Sequence, residues 1–247
     1  MSRGELIYGY HAIKAVMATQ PNRIMKLYLQ ENREDQRLQT LLQQATQSGI
    51  TIVRLPRHQI DQLIGTKVQH QGLLAECKDF PSFNESALPS LVADQSQPIL
   101  LLVLDGVQDP HNLGACIRSA NAFGVHAVIA PKDRAVGLTP VVRKIASGAT
   151  VMTPFVQVTN LVRTLRDLQQ QGVWIVGMVE KGDLILNQVD LKGNIAIVMG
   201  AEGAGLRRLT QECCDYLANI PMQGTVGSLN VSVAAAIALY EVQRQRA

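Results

Sequence analysis

The 247-residue chain carries 23 Lys and Arg against 20 Asp and Glu, with 47% hydrophobic and only 4% aromatic residues. This is the composition of a soluble globular protein with an aliphatic core, large enough for one big domain or two small ones, and it excludes a disordered or fibrous chain. The longest apolar run, residues 98–106 (PILLLVLDG), is too short for a membrane span, and the first residues lack the apolar stretch of a secretory signal, so a cytoplasmic protein without membrane contact is expected.

In chain order, Val/Ile/Leu-rich runs at 6–9, 24–30, 51–55 and 73–79 predict strands, and apolar periods near 3.6 at 11–18 and 33–49 predict helices between them. Residues 1–78 hold ten Lys and Arg against six Asp and Glu, while the remainder holds 13 against 14. The whole positive excess therefore lies in this first block. An imbalance of that size fits a solvated surface as well as phosphate contact. Residues 79–96 mix Pro, Ser, Asn and Asp without a period and are expected to form an interdomain linker.

The second block, 97–247, opens with a buried strand at 98–106, followed by a helix at 115–124, a strand at 126–130 and a helix near 139–148. Strands are expected again at 150–158, 172–179 and 194–200, with helices at 160–172 and 230–246. Such alternation predicts an α/β fold with a largely parallel sheet. Cys77, Cys116, Cys213 and Cys214 show neither CxxC spacing nor companion histidines, so reduced structural thiols are expected and no metal is implied.

Three loops carry the candidate chemistry. In 105–124 (DGVQDPHNLGACIRSANAFG) a strand ends in a polar loop and turns into a helix, the kind of edge at which ligands gather. Asn112 suits a helix N-cap as well as a ligand contact, and Arg118 offers a planar donor fork for phosphate or a surface ion pair. In 197–210 (IVMGAEGAGLRRLT) the spacing is G-x-x-G-x-G and not the dinucleotide G-x-G-x-x-G, with Glu202 inside the loop; a plain tight turn reads equally well. In 218–243 a strand leads through a glycine-bearing loop into a small-residue helix. There Ile220, Met222 and Leu229 can supply apolar slots for an adenine ring, and Ser228 and Asn230 add polarity or helix capping.

Together and in this order, DPHNLGACIRSANAFG, MGAEGAGLRRLT and IPMQGTVGSLNVSVAAAIALYE resemble the SpoU family of RNA ribose 2′-O-methyltransferases, of the SPOUT class, over the whole second block. The start GYHAIKAVM is similar to members that carry an N-terminal domain of the ribosomal protein L30e type. The resemblance implies a SPOUT-type α/β-knot methyltransferase domain at 97–247 with a C-terminal trefoil knot, a linker at 79–96, and a smaller L30e-like α/β RNA-binding domain at 1–78. It implies S-adenosylmethionine as cofactor, a guanosine ribose in 23S rRNA or in a large-subunit assembly intermediate as substrate, and a homodimer.

Carried over by position, the resemblance places Asn112, Arg118, Glu202, Ser228 and Asn230 in the catalytic or RNA-orienting set, and Gly200, Ile220, Met222 and Leu229 around the cofactor. An arginine is a poor proton acceptor at neutral pH, so Arg118 is expected to stabilise charge on the target phosphate and the nascent alkoxide. Arg3, His11, Lys14 and Arg23 are the candidate RNA contacts of the first block, although His11 equally suits a helix-start hydrogen bond. A tRNA ribose methyltransferase, a non-catalytic rRNA-binding or assembly protein and a nucleotide-dependent oxidoreductase remain alternatives, the last disfavoured by the glycine spacing.

Overall fold

The computed structural model describes residues 5–33, 36–64, 70–78, 83–93 and 97–247. Contacts divide the chain into two units, Met1–Pro81 with Ser147–Met152, and Ser82–Ala146 with Thr153–Ala247. No helix among the described residues is long and apolar enough to cross a membrane.

In the first unit, β1 (Glu5–Tyr8), β2 (Ile24–Gln30), β3 (Thr51–Leu55) and β4 (Leu73–Cys77) form a sheet in the order β1-β4-β2-β3. Only the β2–β3 pair is parallel. Helices α1 (Tyr10–Thr19), α2 (Gln36–Gln47) and α3 (Arg57–Ile64) connect the strands, and sequence periodicity missed the short α3. Ile13, Val16, Leu27, Leu29, Leu41 and Leu73 are fully or almost fully buried in one core.

The stretch expected as a linker is not a free connection along its described part. Leu88–Ala93 forms a short helix, α4, and Leu88 is buried in the core of the second unit. Just before it, Glu85 accepts hydrogen bonds from the Thr159 amide and the Arg163 guanidinium. That ion pair holds the Glu85 carboxyl below its usual range. A mixed polar composition concealed the apolar face made by Leu88, Leu91 and Val92.

The second unit is built on β5 (Leu100–Asp105), β6 (Ala127–Pro131), β7 (Phe155–Val158), β8 (Trp174–Met178), β9 (Leu184–Ile185), β10 (Ile195–Gly200) and β11 (Tyr216–Asn219). They form a wholly parallel sheet in the order β7-β6-β5-β10-β8-β11-β9. Its central strands are apolar without alternation because both faces are covered, and every residue of β5 is buried. Helices α5 (Pro110–Ala122), α6 (Pro140–Ile145), α8 (Leu161–Gln170), α9 (Arg208–Glu212) and α10 (Val231–Arg246) belong to this unit, and α7 (Ala149–Met152) groups with the first. The strand expected at 150–158 is therefore shorter: it starts only after Pro154, whose ring nitrogen has no hydrogen to give a ladder.

Candidate active site

Strands β5 and β10 lie side by side in mid-sheet, with Gly200 opposite Asp105 at their C-terminal ends. From there the chain leaves in opposite directions, from β5 towards β6 and from β10 towards β11. Such a switch point opens a crevice beyond the strand ends. All three loops singled out from the sequence meet around it.

The loop after β5 turns into α5 at Asp109, whose carboxylate accepts from the His111 amide at 2.7 Å, with Pro110 in the first helical position. Asn112 is thus not the cap its place in the sequence suggests. It sits inside the first turn, 8% exposed, with its amide free for bonds to distant segments. Beyond β10, Ala201 and Gly205 exchange two backbone hydrogen bonds, of 3.1 and 2.9 Å, which close a tight turn with Glu202 at its tip. Gly203 and Gly205 take φ of 75° and 66°, a region that suits glycine. Gly200 has no room for a side chain, since a Cβ there would fall onto the backbone of Gly205 and Leu206. The far side of this turn is pinned by Asp105, 1% exposed, whose Oδ2 accepts from the Arg207 amide at 3.0 Å while its Oδ1 lies 3.4 Å from Arg207 Nε.

Three side chains from the three loops then close into one cluster. Glu202 Oε1 accepts from Asn112 Nδ2 at 3.0 Å and from Asn230 Nδ2 at 2.7 Å, and Asn230 Nδ2 also lies 2.9 Å from Asn112 Oδ1 as its donor. Asn230 also caps α10, because its Oδ1 accepts from the Ser232 amide and hydroxyl at 2.9 and 2.6 Å. The Glu202 charge reaches below the cluster. Burial first and this carboxylate second push the Cys116 thiol up to about 12, which keeps it protonated and inert.

Beside the cluster opens a cavity of about 340 Å³, at the lower end of the range for small-molecule sites. Gly200, Glu202, Ile220, Met222, Ser228, Leu229 and Asn230 all line it. Sequence reasoning missed Met178, Val179 and Glu180 at the end of β8, Met199 on β10, and Val231 and Ala234 on α10. A signal for the first three existed, because they end an apolar run that reads as a buried parallel strand, and ligands collect at such ends. The lining holds two carboxylates and no Lys, Arg or His. Its apolar walls and negative rim suit a flat heterocycle joined to a positive centre, and S-adenosylmethionine has that chemistry.

Not every candidate residue arrives here. Arg118 is exposed on α5 and does not line the cavity; six residues of helix set it about 9 Å along the axis from Asn112. It makes no hydrogen bond or ion pair with a described residue. In the other unit, His11 and Lys14 stand near the start of α1, with the His11 ring edge-on to Tyr10 at 5.5 Å. Arg23 ends the 3-10 turn after the far end of that helix, whose last residue lies about 12 Å along the axis from His11 and about 8 Å from Lys14. Arg3 lies outside the described residues.

Two family patterns match the chain in succession: RNA 2′-O ribose methyltransferase substrate binding at residues 6–83, and the SpoU rRNA Methylase family at residues 99–240. A relative from Coxiella burnetii, 23S rRNA (guanosine-2′-O-)-methyltransferase RlmB, is 59% identical over 246 residues, covering 100% of this chain and 98% of its own. The protein of that name from Shewanella oneidensis is 51% identical over 246 residues, covering 100% and 99%. Among solved structures, the SpoU methyltransferase AviRb from Streptomyces viridochromogenes, in complex with AdoMet, shares the fold with a TM-score of 0.76 at 23% identity, over 99% of this chain and 91% of that one. With both patterns in place and full-length relatives this similar, the chain belongs to the SpoU rRNA methylase family.

Proposed function

We propose that this protein transfers the methyl group of S-adenosylmethionine to the ribose 2′-hydroxyl of a guanosine in 23S rRNA. The observation that carries the reading is the Asn112–Glu202–Asn230 cluster at the rim of a cavity with two carboxylates and no cation. A dinucleotide would bring phosphates into that negative surrounding, so the cavity argues against the oxidoreductase alternative. The names of the Coxiella and Shewanella relatives supply the base and the RNA.

The apolar side chains of Ile220, Met222 and Leu229, together with the bare backbone at Gly200, would hold the cofactor. When bound, it supplies a methyl group on a positively charged sulfur, open to in-line attack by an oxygen. The protein's own work is alignment. The Asn112 and Asn230 amides lock Glu202 through one oxygen and leave the other without a hydrogen bond to a described residue, ready to accept from the incoming 2′-hydroxyl. Ser228, on the cavity wall, adds a hydroxyl that can orient the sugar. Arg118 is the candidate for the target phosphate and the developing alkoxide, since its guanidinium makes no hydrogen bond or ion pair with a described residue and helical side chains incline towards the N-terminal end, here the end with Asn112.

Residues 1–78 would supply the RNA-binding unit, with Arg3, His11, Lys14 and Arg23 as its candidate RNA contacts, and 97–247 the transferase. In this reading the 97–247 unit carries the C-terminal trefoil knot that the family resemblance implies. Val233, Ile237 and Tyr240 make an exposed apolar stripe along α10, which supports a homodimer. A cytoplasmic site of action follows from an rRNA or assembly-intermediate substrate. Mass spectrometry of ribose methylation on RNA from cells with and without the protein tests the whole reading. Loss of one 2′-O-methylguanosine from 23S rRNA is expected; loss from tRNA alone would redirect the assignment, and unchanged RNA would remove it.

A further inference from the structure

Glu180 is a carboxylate at the cavity that the reaction, as derived above, does not use. It lies just past the end of β8, lines the cavity and makes no hydrogen bond or ion pair with a described residue. Glu202, the only other acid in the lining, is already held by two asparagine amides. The two acids sit at the ends of different strands, Glu202 past β10 and Glu180 past β8.

The strand order decides what Glu180 meets. β8 lies between β10 and β11, so the three strand ends form a row about 10 Å across. The reacting cluster stands at the β10 end of that row, and the apolar slots of Ile220 and Met222 follow β11. A cofactor whose sulfur faces the cluster and whose adenine enters those slots must lay its ribose across the end of β8. We propose that Glu180 binds the cofactor's ribose, its carboxylate accepting hydrogen bonds from the 2′- and 3′-hydroxyls of the adenosyl sugar. An ionised carboxylate offers acceptors only, which matches a vicinal diol with two donors. This inference rests on the reading of the cavity as an S-adenosylmethionine site.

The test uses the full chain and binding calorimetry with two ligands, S-adenosylhomocysteine and 5′-methylthioadenosine, the second uncharged and lacking the amino-acid arm. Glu180 is exposed, so Glu180→Ala and Glu180→Gln should leave the fold intact, as circular dichroism will verify. Glu180→Ala should weaken both ligands by the same factor, about tenfold, with Glu180→Gln intermediate. Removal of the 2′-hydroxyl from 5′-methylthioadenosine should cost affinity in the wild type and almost none in Glu180→Ala. Equal affinities in variant and wild type would overturn the proposal and leave the cofactor site standing. A loss confined to S-adenosylhomocysteine would assign the carboxylate to the amino group instead, and overturn it as well. Failure of the wild type to bind either ligand would overturn the cavity reading together with the inference.

Discussion

Asn112 and Glu202, 90 residues apart in the chain, meet through a 3.0 Å hydrogen bond across the switch point of the parallel sheet. Neither is held there by its own segment alone. Asp109 takes over the capping of α5 and so frees the Asn112 amide, while the backbone bonds between Ala201 and Gly205 present Glu202. Asn230 completes the arrangement from a third segment.

Replacing either asparagine should therefore separate alignment from cofactor binding. Asn112→Ala is expected to lower methyl transfer at least about 100-fold, because the carboxylate loses one of its two holds, while S-adenosylhomocysteine affinity changes little. Asn230→Ala should lose as much activity and also about 1 kcal/mol of stability through the α10 cap. Single-turnover transfer of labelled methyl, with a urea titration alongside, reads both. Normal turnover in either variant would refute the alignment role.

Arg118→Ala makes a sharper demand, since the side chain does not line the cavity. Methylation should fall by about 100-fold or more with calorimetric cofactor affinity within about twofold of wild type, the pattern of an interaction realised in the transition state. Lys at this position should rescue only in part, because an ammonium lacks the planar fork. A variant that turns over normally would remove Arg118 from the mechanism.

At Gly200 even a methyl group is too large. Gly200→Ala forces Cβ onto the backbone of Gly205 and Leu206, so the Glu202 turn must open. The expected cost is about 1–3 kcal/mol in stability, with loss of detectable S-adenosylhomocysteine binding. Gly193→Ala, where a Cβ meets nothing within 4 Å, serves as the control. Equal behaviour of the two variants would show that the turn tolerates displacement.

His126 sets a pH dependence of folding away from the site. The Leu100 amide donates to its Nδ1 at 3.0 Å, which needs the lone pair of the neutral ring. Burial, and after it the neighbouring Arg246 charge, hold its pKa below the usual imidazole value despite an opposing bond with the Leu100 backbone. The unfolded chain therefore takes up this proton near pH 6.5 and the folded one only at lower pH. Stability from this group is complete above about pH 6.5 and is lost as the pH falls from there towards the folded value. Melting temperatures between pH 7.5 and 5.5 should drop more for wild type than for His126→Gln; parallel curves would dismiss the effect.

Much of this is written locally in the chain. The apolar run of β5, the Asn230 cap and the glycines around Glu202 depend on residues within about four positions of one another, so the sequence shows them, whereas at α5 it suggests Asn112 as the cap and the structure places the cap at Asp109. The family resemblance drew on those same stretches, and it named Gly200, Glu202, Ile220, Met222, Ser228, Leu229 and Asn230, all of which line one cavity. Glu180 and Met178 lie outside those stretches, and their one signal in the sequence is their place at the end of an apolar strand.

What tertiary structure alone decided is adjacency. Strands β5, β8 and β10 share one apolar pattern, and a pattern common to all of them cannot say which hydrogen-bonds to which. The order β5-β10-β8-β11 comes from the packing of the whole sheet and its helices, and it alone brings Asn112, Glu202 and Asn230 within hydrogen-bond reach, sets Glu180 between the cluster and the apolar slots, and leaves Arg118 outside the cavity wall. Side-chain chemistry and backbone conformation are properties of short segments, whereas a site at a switch point is a property of how those segments are arranged.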